Sequence, residues 1–415
     1  MARLPSGLVL VVTLSLLTLL VCAALIMERA RHQRARARIP FVVHVNGTRG
    51  KSSVTRLIAA GLREGGLLTW AKVTGTLPRL IDEHGEDRPI VRHAGSSIGE
   101  QRAVIAEASR RGVQALVIEC MALKPEYQRV SEDGLLRASI GVITNIRADH
   151  IEVFGSDLLS MVDALARTIP RGQILFTAER ALYAPLHEAA RRRGAECVQT
   201  SPDSVDAETM ARFAYHEHAD NVALALAVCE HLGVERSVAL RGMLQCTPDV
   251  GALRPITWQE NGRSVLFFNA MAANDPDSTA QLYRDLVGGR PASLDERRCI
   301  VVNSRQDRPA RTRQMARLMV ALAADRVYAI GSGAHELRDQ ALALGLPSAQ
   351  LTILEGAAPQ MAQQLLHAAN PRAVVFAMGN IAGPGLALAD EIESRAASAT
   401  RDMAEPLAAE VRTAA

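Results

Sequence analysis

The sequence predicts an α/β protein. A transmembrane helix stands at the N-terminus, followed by a P-loop parallel-sheet domain and a smaller Rossmann-like α/β domain. Three observations carry this expectation. An uncharged apolar run opens the chain at residues 7–27, GLVLVVTLSLLTLLVCAALIM. Short β-rich runs then alternate with amphipathic stretches, the pattern of βαβ units. The first of those runs leads through glycines into a helix start, FVVHVNGTRGKSS at residues 41–53, the local setting of a phosphate-binding loop.

The apolar run matches the ~20 residues that span a bilayer as a helix. Arg29, Arg31, Arg34, Arg36 and Arg38 follow it, and only Arg3 precedes it. The positive-inside rule therefore puts residue 28 onward in the cytoplasm. The expectation is a single-pass protein of the inner (cytoplasmic) membrane with its folded domains inside. A cleaved signal peptide would have a shorter apolar core and its charge on the other side. Residues 1–28 are read as the anchor and 29–39 as a solvated basic linker that can touch anionic lipid.

Composition narrows the classes. Of 415 residues, 48% are hydrophobic and 22% charged, which excludes a disordered chain. The six cysteines, Cys22, Cys120, Cys197, Cys229, Cys246 and Cys299, form no CxxC pair. A disulfide scaffold and a zinc finger are excluded, and a reducing compartment fits. A net charge of +3 and 3% aromatic residues argue against a nucleic-acid partner. Lysine occurs only at Lys51, Lys72 and Lys124, so any role that needs one has few candidates.

After Ile39, strands are expected at 41–45, 115–119, 140–144 and 174–177, with helices at 52–63, 98–111, 158–168 and 219–231. The Pro/Gly-rich TPDVGALRP at 247–255 marks a boundary. Beyond it, strands are expected at 265–269, 299–302, 326–330, 351–354 and 373–377. The domains are read as 40–247 and 248–395, with an Ala-rich tail at 396–415.

Four motifs carry chemistry. In residues 41–53, glycines at Gly47 and Gly50 let backbone N–H groups face a phosphate, and the helix N-terminus adds partial positive charge. Lys51 then reaches the β/γ-phosphates, and the Ser52 hydroxyl is a Mg²⁺ ligand. The spacing departs from the usual phosphate loop, since Val45 stands at the outer glycine position. Glu119 closes a buried strand, at the edge where ligands bind in open α/β sheets; it can hold Mg²⁺, orient water or be structural. In VITNIRADHIEVFG, residues 142–155, Thr144, Asn145, Asp149 and His150 crowd a strand exit. His150 beside Asp149 is either a metal ligand or half of a turn-stabilising pair. In HADNVALALAV, residues 218–228, Asn221 opens an Ala/Leu-rich helix, and an N-cap there is the structural reading.

Together these motifs resemble the Mur ligase superfamily, which includes folylpolyglutamate synthase. Its G-T-x-G-K-[ST] loop is matched by Gly47, Thr48, Gly50, Lys51 and Ser52, its strand-end Glu by Glu119, its T-N-…-D-H by Thr144, Asn145, Asp149 and His150, and its adenine-contacting Asn by Asn221. HVNGTRGKSSVTRLI, KVTGT, VIECMAL, TNIRADHIEVFG, FNAMAANDPDST and MGNIAGPG are similar to one branch, the ATP-dependent ligase subunit of poly-γ-glutamate synthase (the PgsB/CapB type).

The resemblance implies ATP bound by Gly47, Thr48, Arg49, Gly50, Lys51, Ser52, Ser53, Asn221 and Arg254. It implies Mg²⁺ on Ser52, Glu119 and His150, and catalysis by Lys51, Glu119 and His150. It further implies polymerisation of glutamate through a γ-glutamyl phosphate, with membrane export or synthase subunits as partners. The superfamily's acidic residue in the C-terminal domain has Asn269, Asn274 and Asp275 as counterparts. Many Mur ligases carry a carbamylated lysine after the D-H motif, and no lysine follows Lys124 here. The rivals are another Mur- or folylpolyglutamate-synthase-like amino-acid ligase and a membrane-tethered P-loop ATPase.

Overall fold

The computed structural model describes residues 6–413 except 76–77, 93–94, 148–156, 250–252, 254, 273–275, 291–294 and 370. The chain divides into two compact units. The first holds residues up to Phe213 and Glu217–Pro248, the second Ala214–His216 and everything from Asp249.

The first unit is built on an eight-stranded sheet. Its strands are β1 Phe41–Asn46, β2 Thr69–Val73, β3 Arg79–Ile81, β4 Asp87–Pro89, β5 Ala115–Glu119, β6 Ile140–Ile143, β7 Ile174–Thr177 and β8 Glu196–Gln199, in the order β4-β3-β2-β5-β1-β6-β7-β8. The pairings from β2 to β8 are parallel, and β3 and β4 form an antiparallel edge. The centre of the sheet reads as continuous Val and Ile because helices cover both faces. Val42, Val43 and Val45 of β1 are fully buried, each contributing roughly 1.5–3 kcal/mol over an exposed side chain.

Two helices that matter for the site flank β1. The first, α1 (Ser6–Ala37), contains the apolar run and continues without a break through the basic segment. The expected solvated linker is therefore helical and docked. The His32 ring and the Leu135 carbonyl are 2.9 Å apart, and the Arg36 guanidinium donates to the carbonyls of Leu136, Ile39 and Arg137. Arg36 thus ties the end of α1 to the carbonyls that close the Val130–Leu136 segment and holds the helix against the domain. The second, α2 (Lys51–Glu64), starts directly from the glycine loop. Further along, α3 (Glu100–Arg110) leads into β5, and α4 (Pro125–Arg129) leaves it and runs on as a π-helical segment, Val130–Leu136.

The second unit holds a six-stranded sheet of β9 Pro255–Glu260, β10 Arg263–Asn269, β11 Glu296–Asn303, β12 Arg326–Ile330, β13 Leu351–Ile353 and β14 Arg372–Gly379, in the order β13-β12-β11-β14-β10-β9. Among its described strands, β9 alone pairs antiparallel. Apolar clusters fill both faces, one around Phe376 and Val302, the other around Phe267 and Trp258. The last helix, Pro384–Thr413, runs on into the segment read as an Ala-rich tail.

Candidate active site

The C-terminal ends of β1, β5 and β6 converge on the loop Gly47–Gly50. Gly47 has φ +131° and Gly50 φ +80°, conformations that side chains with a Cβ rarely adopt. The loop is held from β6. Thr144 Oγ1 and Asn145 Nδ2 donate to the Arg49 carbonyl at 2.6 and 3.2 Å, and Asn145 Oδ1 accepts from the Arg49 N–H at 3.1 Å. Thr48 Oγ1 accepts from the Arg147 N–H at 3.0 Å. The Thr-Asn pair thus shapes the loop through its backbone.

Helix α2 begins with Gly50 as N-cap, without a side-chain cap and without an acidic residue in its first turn. An N-terminus of this kind keeps its orphan N–H groups and partial positive charge for an anion. The Lys51 ammonium folds back onto the carbonyls of Gly47 and Thr48, at 2.8 and 3.2 Å. A cavity of about 70 Å³ adjoins it, with Asn46, Thr48, Lys51 and Gln128 on its polar side and Met121, Leu123, Met161 and Leu165 on its apolar side.

Ser52 and Glu119 meet beside the loop. The Ser52 hydroxyl donates to Glu119 Oε2 at 2.9 Å, and the Thr74 N–H donates to the same oxygen at 2.7 Å. Glu119 is 2% exposed, so Oε2 is satisfied by these hydrogen bonds rather than by water. A hydroxyl and a carboxylate are the hard oxygen donors that suit Mg²⁺.

Asn221 lies in the first turn of the helix Ala219–His231, whose N-cap is His218. Its amide donates to Glu217 Oε1 at 2.7 Å, and its Oδ1 would stand 2.7 Å from a Cβ on Gly50. The structure therefore brings Gly47, Thr48, Arg49, Gly50, Lys51, Ser52, Ser53, Glu119 and Asn221 to one edge of one unit. Asp149, His150, Arg254, Asn274 and Asp275 lie outside the described residues. Asn269 ends β10, where its Oδ1 accepts from the Met271 N–H at 3.3 Å.

Sequence reasoning assigned no role to Lys72, Glu100 or Arg92. Lys72, at the end of β2, is fully buried with its Nζ 2.6 Å from Glu100 Oε1. Arg92 donates to both oxygens of Glu100, at 2.9 and 2.8 Å. Burial lowers the Lys72 pKa, against the pull of Glu100. Burial also works against the Glu100 carboxylate, but Arg92 and Lys72 outweigh it and hold its pKa low. One signal was available: Lys72 is one of three lysines and sits inside KVTGT.

Below the loop, His44 of β1 is fully buried, with its Nδ1 2.8 Å from Glu132 Oε2. Burial disfavours the imidazolium. The neighbouring Cys120 sulfur and the Glu132 carboxylate outweigh it, and the His44 pKa rises to about 9.

Comparison with known proteins settles the family. Residues 45–246 match the family described as the Mur ligase middle domain, and residues 256–395 the poly-gamma-glutamate synthase CapB C-terminal domain. PGA synthase CapB of Bacillus subtilis (strain 168) is 33% identical over 384 residues, 91% of this chain and 97% of that protein. The chain belongs to the CapB family of poly-γ-glutamate synthases. A second CapB, the capsule biosynthesis protein of Bacillus anthracis, is 34% identical over 370 residues, 88% of this chain and 79% of that one. As a CapB-family member, the chain is an ATP-dependent amide ligase that makes poly-γ-glutamate.

Solved structures agree on the fold. E. coli FolC in complex with DHPP and ADP superposes with a TM-score of 0.63 at 15% identity, covering 91% of this chain and 92% of that one. A bifunctional folylpolyglutamate synthase/dihydrofolate synthase with Mn, AMPPNP and L-glutamate bound gives 0.62 at 16%, covering 88% and 92%. The chain thus carries a folylpolyglutamate-synthase-like α/β fold after an apolar N-terminal helix.

Proposed function

We propose that the edge formed by Gly47–Ser53 and Glu119 binds ATP and Mg²⁺ and activates a glutamate carboxylate beside them. The observation that carries this reading is the meeting of Ser52 Oγ and Glu119 Oε2 at 2.9 Å, next to a helix N-terminus whose Lys51 is turned onto the glycine loop.

In the reaction, a glutamate carboxylate oxygen attacks the γ-phosphorus, ADP departs, and an acyl phosphate forms. The amine of another glutamate, or of the growing chain, then attacks the acyl carbon. Phosphate leaves, the amine loses a proton, and the amide bond remains. A carboxylate and a triphosphate repel each other, so the site must supply positive charge. Lys51 and the N–H groups of α2 do this as fixed, preorganised donors. Ser52 and Glu119 would hold Mg²⁺, with His150 as a further ligand, and the ion when bound would offset the triphosphate charge. Asn221 is assigned to the adenine end and Arg254 to the phosphates.

We place residues 7–27 across the cytoplasmic membrane, with the ATP-binding domain (40–247) and the C-terminal domain (248–395) in the cytoplasm. A polymer made there would pass to membrane partner subunits for export.

The test incubates membranes carrying the full chain with ATP, Mg²⁺ and labelled glutamate. Glutamate-dependent phosphate release with a growing anionic product is expected, and Lys51→Ala should abolish both. Nucleotide hydrolysis indifferent to glutamate would overturn the reading in favour of a tethered ATPase.

A further inference from the structure

Two observations within the first unit point to where the membrane lies. The first is the direction of α1. Glu28 pairs with Arg102 at 2.5 Å, near the start of α3, while Ala35 packs into the cluster that holds Val104 and Ala108 further along α3. The two helices therefore run side by side in the same direction. Because α3 feeds the N-terminal end of β5, it runs against the strands. Its first turn lies at their C-terminal edge, as the Glu100 to Lys72 contact at the end of β2 requires. Helix α1 thus descends from that edge to the start of β1, and its apolar part, residues 7–27, projects from the edge that carries the phosphate loop and Glu119.

The second observation is independent. Outside α1, the large apolar side chains exposed in the described part of this unit are Val91, Leu123, Tyr127, Val130, Leu158 and Leu159, between 38% and 71% exposed. Val91 follows β4, which ends at this edge. Leu123, Tyr127 and Val130 follow β5 into α4, and Leu158 and Leu159 open α5 (Leu158–Leu165), which comes after β6. All six stand at the edge from which the apolar helix leaves. Helices α4 and α5 pack on each other, and α1 lies along α3 and bonds to the end of the segment that continues α4. A solvated surface would scatter such residues, and a cluster marks a contact. Lys124 and Arg129 are exposed among them, placed to meet headgroups while their stems cover the apolar surface.

We infer that this rim rests in the headgroup boundary of the bilayer, so that the ligase edge of the sheet opens toward the membrane rather than away from it. The inference rests on residues 7–27 crossing the membrane. The bilayer is the occupant because the rim stands at the edge from which the apolar helix leaves the domain.

The test uses full-length protein in bilayer discs made with brominated lipid, which quenches tryptophan in contact with it. The native Trp70 and Trp258 are each 1% exposed and supply a constant background. Tyr127→Trp and Leu159→Trp probe the rim, Leu16→Trp the span, and Arg171→Trp the loop before β7 at the opposite edge. The expected result is loss of most of the added emission at positions 16, 127 and 159 and none at 171. Quenching at 16 without quenching at 127 and 159 overturns the rim and leaves the span intact. No quenching at 16 overturns the span and this inference with it. Rim tryptophans shielded from iodide yet untouched by brominated lipid would show a protein on this surface, and equal quenching at 171 would show no preferred edge. Both outcomes refute it.

Discussion

Thr144 fills the space that a side chain on Gly47 would need. A Cβ built there would lie 2.1 Å from Thr144 Oγ1 and 2.9 Å from the Thr144 N–H nitrogen. The hydroxyl cannot simply swing away, because it is the donor that holds the Arg49 carbonyl. Gly47→Ala therefore meets both a clash and an unfavourable backbone angle, the latter alone costing ~1–3 kcal/mol. The loop relaxes out of its phosphate-binding shape. Glutamate-dependent phosphate release should fall to background, while circular dichroism keeps the α/β signature because the strain stays local. Full activity in this variant would refute the loop geometry.

Glu119 offers a separable test of charge. It is nearly buried and accepts from both Ser52 and Thr74. Glu119→Gln keeps the shape and one acceptor oxygen but removes the charge that a divalent cation needs. Ser52→Ala removes the second oxygen donor and leaves Glu119 bonded to Thr74. Both variants should lower turnover by about a hundredfold or more, the scale of a lost electrostatic contribution in a closed site. Part of the Ser52→Ala loss should recover at high Mg²⁺, since the carboxylate remains. The measurement is phosphate release titrated with Mg²⁺, and Mg²⁺-independent loss in both variants would count against metal binding here.

The site was legible where its signals are local. Phe41–Val45 reads as a buried strand from its valines, Gly47 and Gly50 announce a turn, and Lys51 and Ser52 follow in register. Contacts distant in sequence were not legible. Strand β2, Thr69–Val73, carries a lysine near its C-terminal end and was missed; Lys72 is tolerated there because Glu100 comes to meet it. Strands β3 and β4 have three residues each, too short for a period to show. Strand β8 has half-buried centre residues and exposed ends, so it lacks the apolar run of its neighbours. The basic segment after the apolar helix reads as solvated because nothing local shows that Arg36 will bind carbonyls at Leu136 and Arg137.

The buried His44–Glu132 pair predicts a pH dependence of stability. The His44 pKa is raised from 6.5 to about 9 in the folded chain. A raised histidine contributes fully below its unfolded value, and the contribution is lost as pH climbs through the folded value. Stability should therefore decline between pH 6.5 and about 9, with a slope of at most ~1.4 kcal/mol per pH unit from this one proton. Denaturant unfolding across that range should show the decline in the parent and a flatter profile in His44→Gln. A parent profile that rises with pH would contradict the pair.

Lys72 and Glu100 supply the last prediction, through their coupling. Both Glu100 oxygens are engaged, Oε1 by Lys72 and Arg92 and Oε2 by Arg92, with Lys72 fully enclosed. Removing one partner strands a buried charge, a change worth ~3–5 kcal/mol for buried pairs. Among the described residues, Glu100→Gln leaves Lys72 an amide oxygen and the Met121 sulfur at 3.6 Å, so it should be the more damaging single change. Lys72→Met fills the same volume without a charge, and Arg92 still satisfies Glu100, so its cost should be smaller. The double variant should then be more stable than the sum of the two, because the stranded ammonium is gone. Chemical denaturation of the four proteins measures this directly. Strict additivity would mean that the two side chains act independently and that Lys72 draws its stability from elsewhere in the fold.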